Sequence, residues 1–166
     1  MKVNNIPTAT IEDVPGIAKV HVDSWRRTYR GIVPDAVLDH LSYEEKEELW
    51  TSVIQRGKSR IAVAETPAGK IVGFASAGPV RNRLSSYQQE LYAIYILSSH
   101  QRQGIGQRLV SEVAPPDHSS FLVWVLADNP SCRFYKRLGG KKIGTETITI
   151  GGISVEEVAY VIPSQP

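Results

Sequence analysis

Cysteine is nearly absent from this chain: Cys132 stands alone, and one thiol excludes an internal disulfide framework. The four histidines, His21, His40, His100 and His118, lie too far apart in sequence to form a local metal-ligand motif, so no metal is expected. No apolar run reaches the length of a membrane span, and the opening MKVNNIPTATIEDVPG lacks the apolar core of a signal peptide. Charge of one sign is lacking too. Nineteen Lys plus Arg oppose seventeen Asp plus Glu, a net charge of +2, which offers no basic stripe to nucleic acid. These absences together predict a cytoplasmic protein whose partners include neither nucleic acid nor a membrane. Repeats, low-complexity tracts and Gly/Ser linkers are missing as well, and 166 residues suit a single domain, 1–166, with a substantial core.

What is present is an alternation of helical and strand-like segments. A short strand is expected around Val3 to Thr8 and a helix over Ile11 to Tyr29, where Val14, Ile17, Ala18, Val20, His21 and Trp25 recur at helical spacing. Gly31 and Pro34 interrupt it. A second helix opens at Ser42, whose S-x-x-E spacing to Glu45 is that of a capping box. Two helices thus precede the sheet. Arg60 to Thr66 and Ile71 to Ala77 read as an antiparallel hairpin around Pro67-Ala68-Gly69-Lys70. After a polar loop, RNRLSSYQQ, come a strand from Glu90 to Leu97, a Gly-rich loop and a short helix halted by Pro115-Pro116. Phe121 to Leu126 is a buried strand, Asn129 to Leu138 a helix ended by Gly139-Gly140, and Lys142 to Ile162 a hairpin turning at Gly151-Gly152. The fold class is α/β with a mixed, largely antiparallel sheet flanked by helices.

The loop Gln101-Arg102-Gln103-Gly104-Ile105-Gly106 carries the first chemical signal. Glycines where a strand turns into a helix expose backbone N–H groups, which suit a phosphate at the helix N-terminus; Arg102 and Arg108 flank the loop and could add charge. A dinucleotide fold would want a third glycine at position 109, which is Leu109, and a Walker loop would want Lys-Ser/Thr after Gly106, which is followed by Gln107-Arg108.

That loop resembles the Q/R-x-x-G-x-G/A signature of the GNAT superfamily of acetyl-CoA-dependent N-acetyltransferases. Asn129 to Gly140, with Phe134-Tyr135 and Leu138-Gly139, is similar to the family's second segment, and the order of elements resembles the family's over nearly the whole chain. Two departures stand out: the early stop at Pro115-Pro116, and Gly140 where Phe is usual. The resemblance implies a sheet splayed at an acetyl-CoA site. The strand backbone at Ile94, Tyr95 and Ile96 would bind the pantetheine arm, residues Gln101, Arg102, Gln103, Gly104, Ile105, Gly106 and Gln107 the pyrophosphate, and Asn129 the cofactor beside Tyr135.

Acetyl transfer straight to an amine, within a ternary complex, requires a neutral nucleophile, a stabilised oxyanion and a proton for the departing thiolate. A carboxylate is a plausible base for an amine of pKa about 10.4, and by the resemblance that base is Glu90, with a water chain as the alternative. Tyr135 occupies the family's acid position, and a backbone N–H near Ile96 would meet the oxyanion. Cys132 has no His or Asp beside it in sequence and is not expected to act as a nucleophile. Trp25, Arg26, Tyr29 and Tyr92 are candidates for the acceptor pocket, although Trp25 and Tyr29 also fit a core pair at i,i+4. The acceptor stays open between a small amine, an amino acid and a peptide. A domain that senses acyl-CoA without turning it over is the competing reading, and the chain is a monomer or a homodimer.

Overall fold

The computed structural model describes residue 3, residues 5–81 and residues 86–165; part of the RNRLSSYQQ loop lies outside the described residues. Six strands form one sheet in the order β1-β2-β3-β4-β6-β5, with β1 Arg60–Glu65, β2 Ile71–Pro79, β3 Gln89–Ile96, β4 Phe121–Leu126, β5 Lys141–Ile150 and β6 Ile153–Ile162. Every neighbouring pair is antiparallel except β3 and β4. That pair is parallel and registers at Glu90–Leu122 and Leu91–Val123 alone, after which the strands part.

The helices are α1 Val14–Thr28, α2 Asp35–Asp39, α3 Tyr43–Arg56, α4 Ile105–Val113 and α5 Cys132–Arg137. On one face α1 and α3 bury Ile17, Val20 and Trp50 against Val63 and Phe74 of β1 and β2. On the other, Leu109 and Val110 of α4 and Tyr135 of α5 pack on Val72, Leu91, Val123 and Ile162. β2 is buried on both faces, which explains an apolar run broken by Ser76 alone.

Four expectations need correction. The segment from Val3 to Thr8 makes isolated antiparallel bridges, Asn5 to Glu65 and Thr8 to Ala62, rather than a regular strand; Pro7 accepts from Val63 N–H but has no N–H to return. The first helix opens with a 3₁₀ turn, Ile11–Asp13, because the Asp13 carboxylate reaches back to Thr10 N–H at 2.8 Å. Three helices precede the sheet, since Pro34 starts the short α2 instead of only breaking the chain. The helix expected from Asn129 begins at Cys132: Asn129 Oδ1 accepts from Ser131 N–H at 2.9 Å and holds a turn in front of it.

Ser42 does cap α3, accepting from Glu45 N–H. The departure at Gly140 has a steric cause: a Cβ there would lie 2.6 Å from the Tyr135 carbonyl oxygen and 2.8 Å from Ile162 Cδ1. Any side chain at 140 would push the end of α5 off β6.

His21, only 9% exposed, sits in the α1 face and accepts from Trp50 Nε1–H at 3.0 Å. Burial, aided by nearby Lys46, lowers its pKa to about 4. The unfolded chain takes up this proton near pH 6.5 and the folded chain only near 4, so stability present in full above 6.5 is lost as pH falls toward 4, by at most about 3 kcal/mol. Melting temperatures should therefore drop between pH 6.5 and 4, and His21→Gln, which keeps an acceptor for Trp50 without the titration, should flatten that part of the drop. An unchanged acid slope in the variant would place the sensitivity elsewhere.

Candidate active site

A β-bulge starts the split. Ala77 pairs with Leu91 and Ser76 with Ala93, leaving Tyr92 as the extra residue of β3, which bends the strand away from β4. The Tyr92 hydroxyl donates to the Pro79 carbonyl and the Arg81 guanidinium lies over its ring, 4.6 Å from the centroid. Gly78 is obligatory beneath it, since a Cβ would come within 2.8 Å of that hydroxyl and 3.1 Å of the Lys58 carbonyl.

Beyond the bulge the strands enclose a cleft of about 1270 Å³ that passes through the sheet, lined by α1 on one face and by α4 and α5 on the other. Leu97 N–H donates to Val72 across the β2 pairing, and antiparallel bonding alternates. The N–H groups of Ile94 and Ile96 consequently face the split, with no strand opposite to receive them.

The Gly-rich loop closes one end. Arg102 at φ 60° and Gly104 at φ 77° are both left-handed, which turns successive backbone N–H groups to one side. Among the described residues no side chain caps the N-terminus of α4, leaving its first N–H groups at the mouth of the cleft. Gly106 packs against Phe134, whose ring carbons would lie 3.0 to 3.1 Å from a Cβ at that position. Gln101 Nε2 donates to the Ile96 carbonyl at 3.0 Å and ties the loop to the β3 edge. Three buried polar atoms without a hydrogen-bond partner among the described residues, Ser24 Oγ, His100 Nε2 and Trp124 Nε1, belong to residues on the cleft walls. These features suit a ligand with a phosphate end and a polar chain.

Most predicted site residues meet here. Glu90, Tyr135, Asn129, Trp25, Tyr29, Tyr92, Ile94 to Ile96 and the loop residues other than Gln103 line one cavity; Gln103 is exposed and off its wall. Two arginines point elsewhere. Arg108 donates to the Val3 carbonyl at 3.1 Å rather than into the loop, and Arg26 bonds the Leu38 and Leu41 carbonyls, bracing the segment after α1. Cys132 lies with its thiol 3.6 Å from the Leu126 carbonyl oxygen.

Glu90 is not a free carboxylate. Its side chain is 2% exposed and accepts three hydrogen bonds from Arg81: backbone N–H at 3.0 Å, Nε at 3.4 Å and a terminal nitrogen at 2.7 Å. Burial pushes the Tyr135 hydroxyl pKa above its ordinary value of 10.

Sequence reasoning missed Arg81, Trp124 and an acidic pair, Glu146 and Glu157, all on the cleft wall. The pair is directly opposed across β5 and β6, an unfavourable placement for like charges. Burial first, then Glu146 and Glu90, raises the Glu157 pKa. The pair was legible in principle, since both residues stand five places from the Gly151-Gly152 turn.

A parallel pair that splays, a Gly-rich turn into a helix at its open end and a sheet of this order define an acetyltransferase fold, and the chain belongs to the GNAT superfamily. Residues 72–149 match the family described as FR47-like protein. The chain is 42% identical over 159 residues to the uncharacterized N-acetyltransferase YuaI of Bacillus subtilis, covering 93% of this chain and 90% of that protein. Among solved structures it superposes with TM-score 0.73 on a phosphinothricin acetyltransferase of Sinorhizobium meliloti in complex with AcCoA, at 20% identity over 98% of this chain and 89% of that one. An N-acetyltransferase of Thermoplasma acidophilum in complex with coenzyme A gives TM-score 0.69, at 21% identity over 92% and 96%.

The Arg81–Glu90 pair is testable apart from any activity. Arg81 is 63% exposed, so water screens part of the bond, but its removal leaves Glu90 buried and short of donors. Arg81→Met should lower unfolding free energy by about 1–2 kcal/mol in denaturant titration, and Arg81→Lys by less. Equal stability for all three proteins would mean that the buried carboxylate does not depend on the guanidinium.

Proposed function

We propose that the protein transfers the acetyl group of acetyl-CoA directly to an amine, with both substrates bound in the cleft at once. The observation that carries this reading is the passage through the sheet: α4 and α5 offer a phosphate-binding mouth on one face, and α1, β5 and β6 offer an acidic wall on the other. Acetyl-CoA supplies the acyl group as a thioester, already activated for attack by nitrogen. The loop from Gln101 to Gln107 would hold its pyrophosphate through left-handed backbone turns and the α4 N-terminus, and Ile94 and Ile96 would pair with its amide arm. The Ile96 N–H, aimed into the split, is placed to stabilise negative charge on the carbonyl oxygen under attack.

Glu146 and Glu157 favour an acceptor that arrives as an ammonium, which must lose a proton before it can attack. Glu90, in the same cleft wall, accepts that proton directly or through water; the three bonds from Arg81 fix the orientation of its carboxylate. The proton returned to the thiolate would come from Tyr135, on the α5 side of the split. Holding amine and thioester together contributes most, on the order of 7 to 11 kcal/mol when the geometry is good.

Isothermal titration with acetyl-CoA, run beside thiol release over a panel of amines, tests the reading. Binding together with release stimulated by at least one cationic amine is expected, and Glu90→Gln should lower kcat about 100-fold with little change in acetyl-CoA affinity. Binding without turnover on a broad panel would favour the sensor reading. Absence of binding would end both.

A further inference from the structure

A row of three side chains leads away from the split across the sheet. Leu126 of β4 is paired with Glu157 of β6, and Glu157 with Glu146 of β5, so the three stand side by side on one face. It is the face that α1 covers, because Leu126 packs there with Tyr29, Ile148 and Val155. Adjacent strands lie about 4.8 Å apart, which puts Glu157 about 5 Å and Glu146 about 10 Å from β4, on the side away from β3. Both carboxylates line the cleft.

The carboxylates of the cleft are not equivalent. Glu90 is neutralised by Arg81 at 2.7 Å, whereas no ion pair among the described residues includes Glu146 or Glu157. Like charges directly opposed across two strands destabilise the fold, and a cation from outside the chain would relieve them. A second observation points to the same ligand. On the α1 wall of the cleft, Ser24 is 7% exposed, and its buried Oγ has no hydrogen-bond partner among the described residues. A hydroxyl oxygen accepts from an ammonium. Trp124, two residues before Leu126 and on the same face, adds an aromatic ring to the lining, and Ile148, two residues past Glu146, adds apolar surface suited to methylenes.

The reacting nitrogen cannot be the cation that this pair holds. It must be neutral to attack, and it must reach a thioester lying in the split between β3 and β4. A nitrogen between Glu146 and Glu157 stands roughly 7 Å beyond β4. The charge held there belongs to a second group of the same acceptor.

We propose that the acceptor is a dication of the diaminoalkane type: one primary amine reacts in the split, and a short aliphatic chain joins it to a second ammonium held by Glu146 and Glu157. The inference deepens the acetyl-transfer reading and rests on it. The transfer step is unchanged, and the second ammonium keeps its proton throughout. Glu146 and Glu157 set specificity and take no part in bond making.

Thiol release from acetyl-CoA with diaminobutane and diaminohexane, set against butylamine and hexylamine, tests the assignment, since each pair differs only in the far ammonium. Wild-type kcat/KM should favour the diamine of better length at least about tenfold, with the gain in KM, because the far ammonium is bound alike before and during transfer. Glu146→Gln and Glu157→Gln should each remove most of that preference, while acetyl-CoA affinity by isothermal titration stays within about threefold. Glu146 is exposed and its substitution removes a like-charge contact, so Glu146→Gln should fold with a melting temperature equal to or above that of the wild type. Equal wild-type use of diamines and monoamines overturns the inference, and so do variants in which both acceptors weaken together, which would mean general steering of ammonium groups. Acetyl-CoA binding with no diamine acetylated overturns it too and leaves the acetyl-transfer reading to other acceptors. Wild-type protein that does not bind acetyl-CoA overturns that reading, and the inference falls with it.

Discussion

The parting of β3 from β4 is the constraint on which the remaining structure depends. The two strands pair at Glu90–Leu122 and Leu91–Val123, and the bulge at Tyr92 then turns β3 away. Full pairing would satisfy the Ile94 and Ile96 amides within the sheet and close the passage. The split leaves that backbone to a ligand and opens both faces of the sheet to one cavity. An opening of this kind costs hydrogen bonds and packing, so the surroundings must hold it apart without filling it.

Two sets of polar contacts do so. At the closed end, Arg81 spans Tyr92 and Glu90, stacking on one and bonding the other. Along the open part, α1 and the residue that ends it reach both edges, Trp25 to Tyr95 on β3 and Tyr29 to Asn129 after β4. The spacing of the edges is thus set from α1 and its C-terminal end, and the hydroxyls that hold the gap lie beside the position where chemistry is proposed. Apolar packing of α4 and α5 on the opposite face keeps the Gly-rich loop at the mouth.

Much of this was legible in the order of residues. The strand, loop and helix around Gly104, the hairpins at Pro67 to Lys70 and Gly151-Gly152, and the Ser42 cap all follow from short-range rules, because turns and caps depend on a few neighbouring residues. The N-terminal segment was expected to be a strand, whereas the missing donor of Pro7 reduces it to bridges. The helix at 129 was read one turn too long because the Asn129 side chain can cap a turn as readily as begin a helix. Arg81 escaped notice since its partner, Glu90, is nine residues away across a loop.

The sequence by itself determined the family, the Gly-rich loop and most of the order of secondary elements, all of which rest on local conformational preference and motif spacing. Tertiary structure alone decided what each polar group does. It committed Asn129 to Tyr29, Glu90 to Arg81 and Arg108 to Val3, and it brought Glu146 and Glu157 to the cleft wall. Hydrogen bonds and charges act over a few ångströms in space, and separations of up to 105 residues along the chain carry no information about such distances.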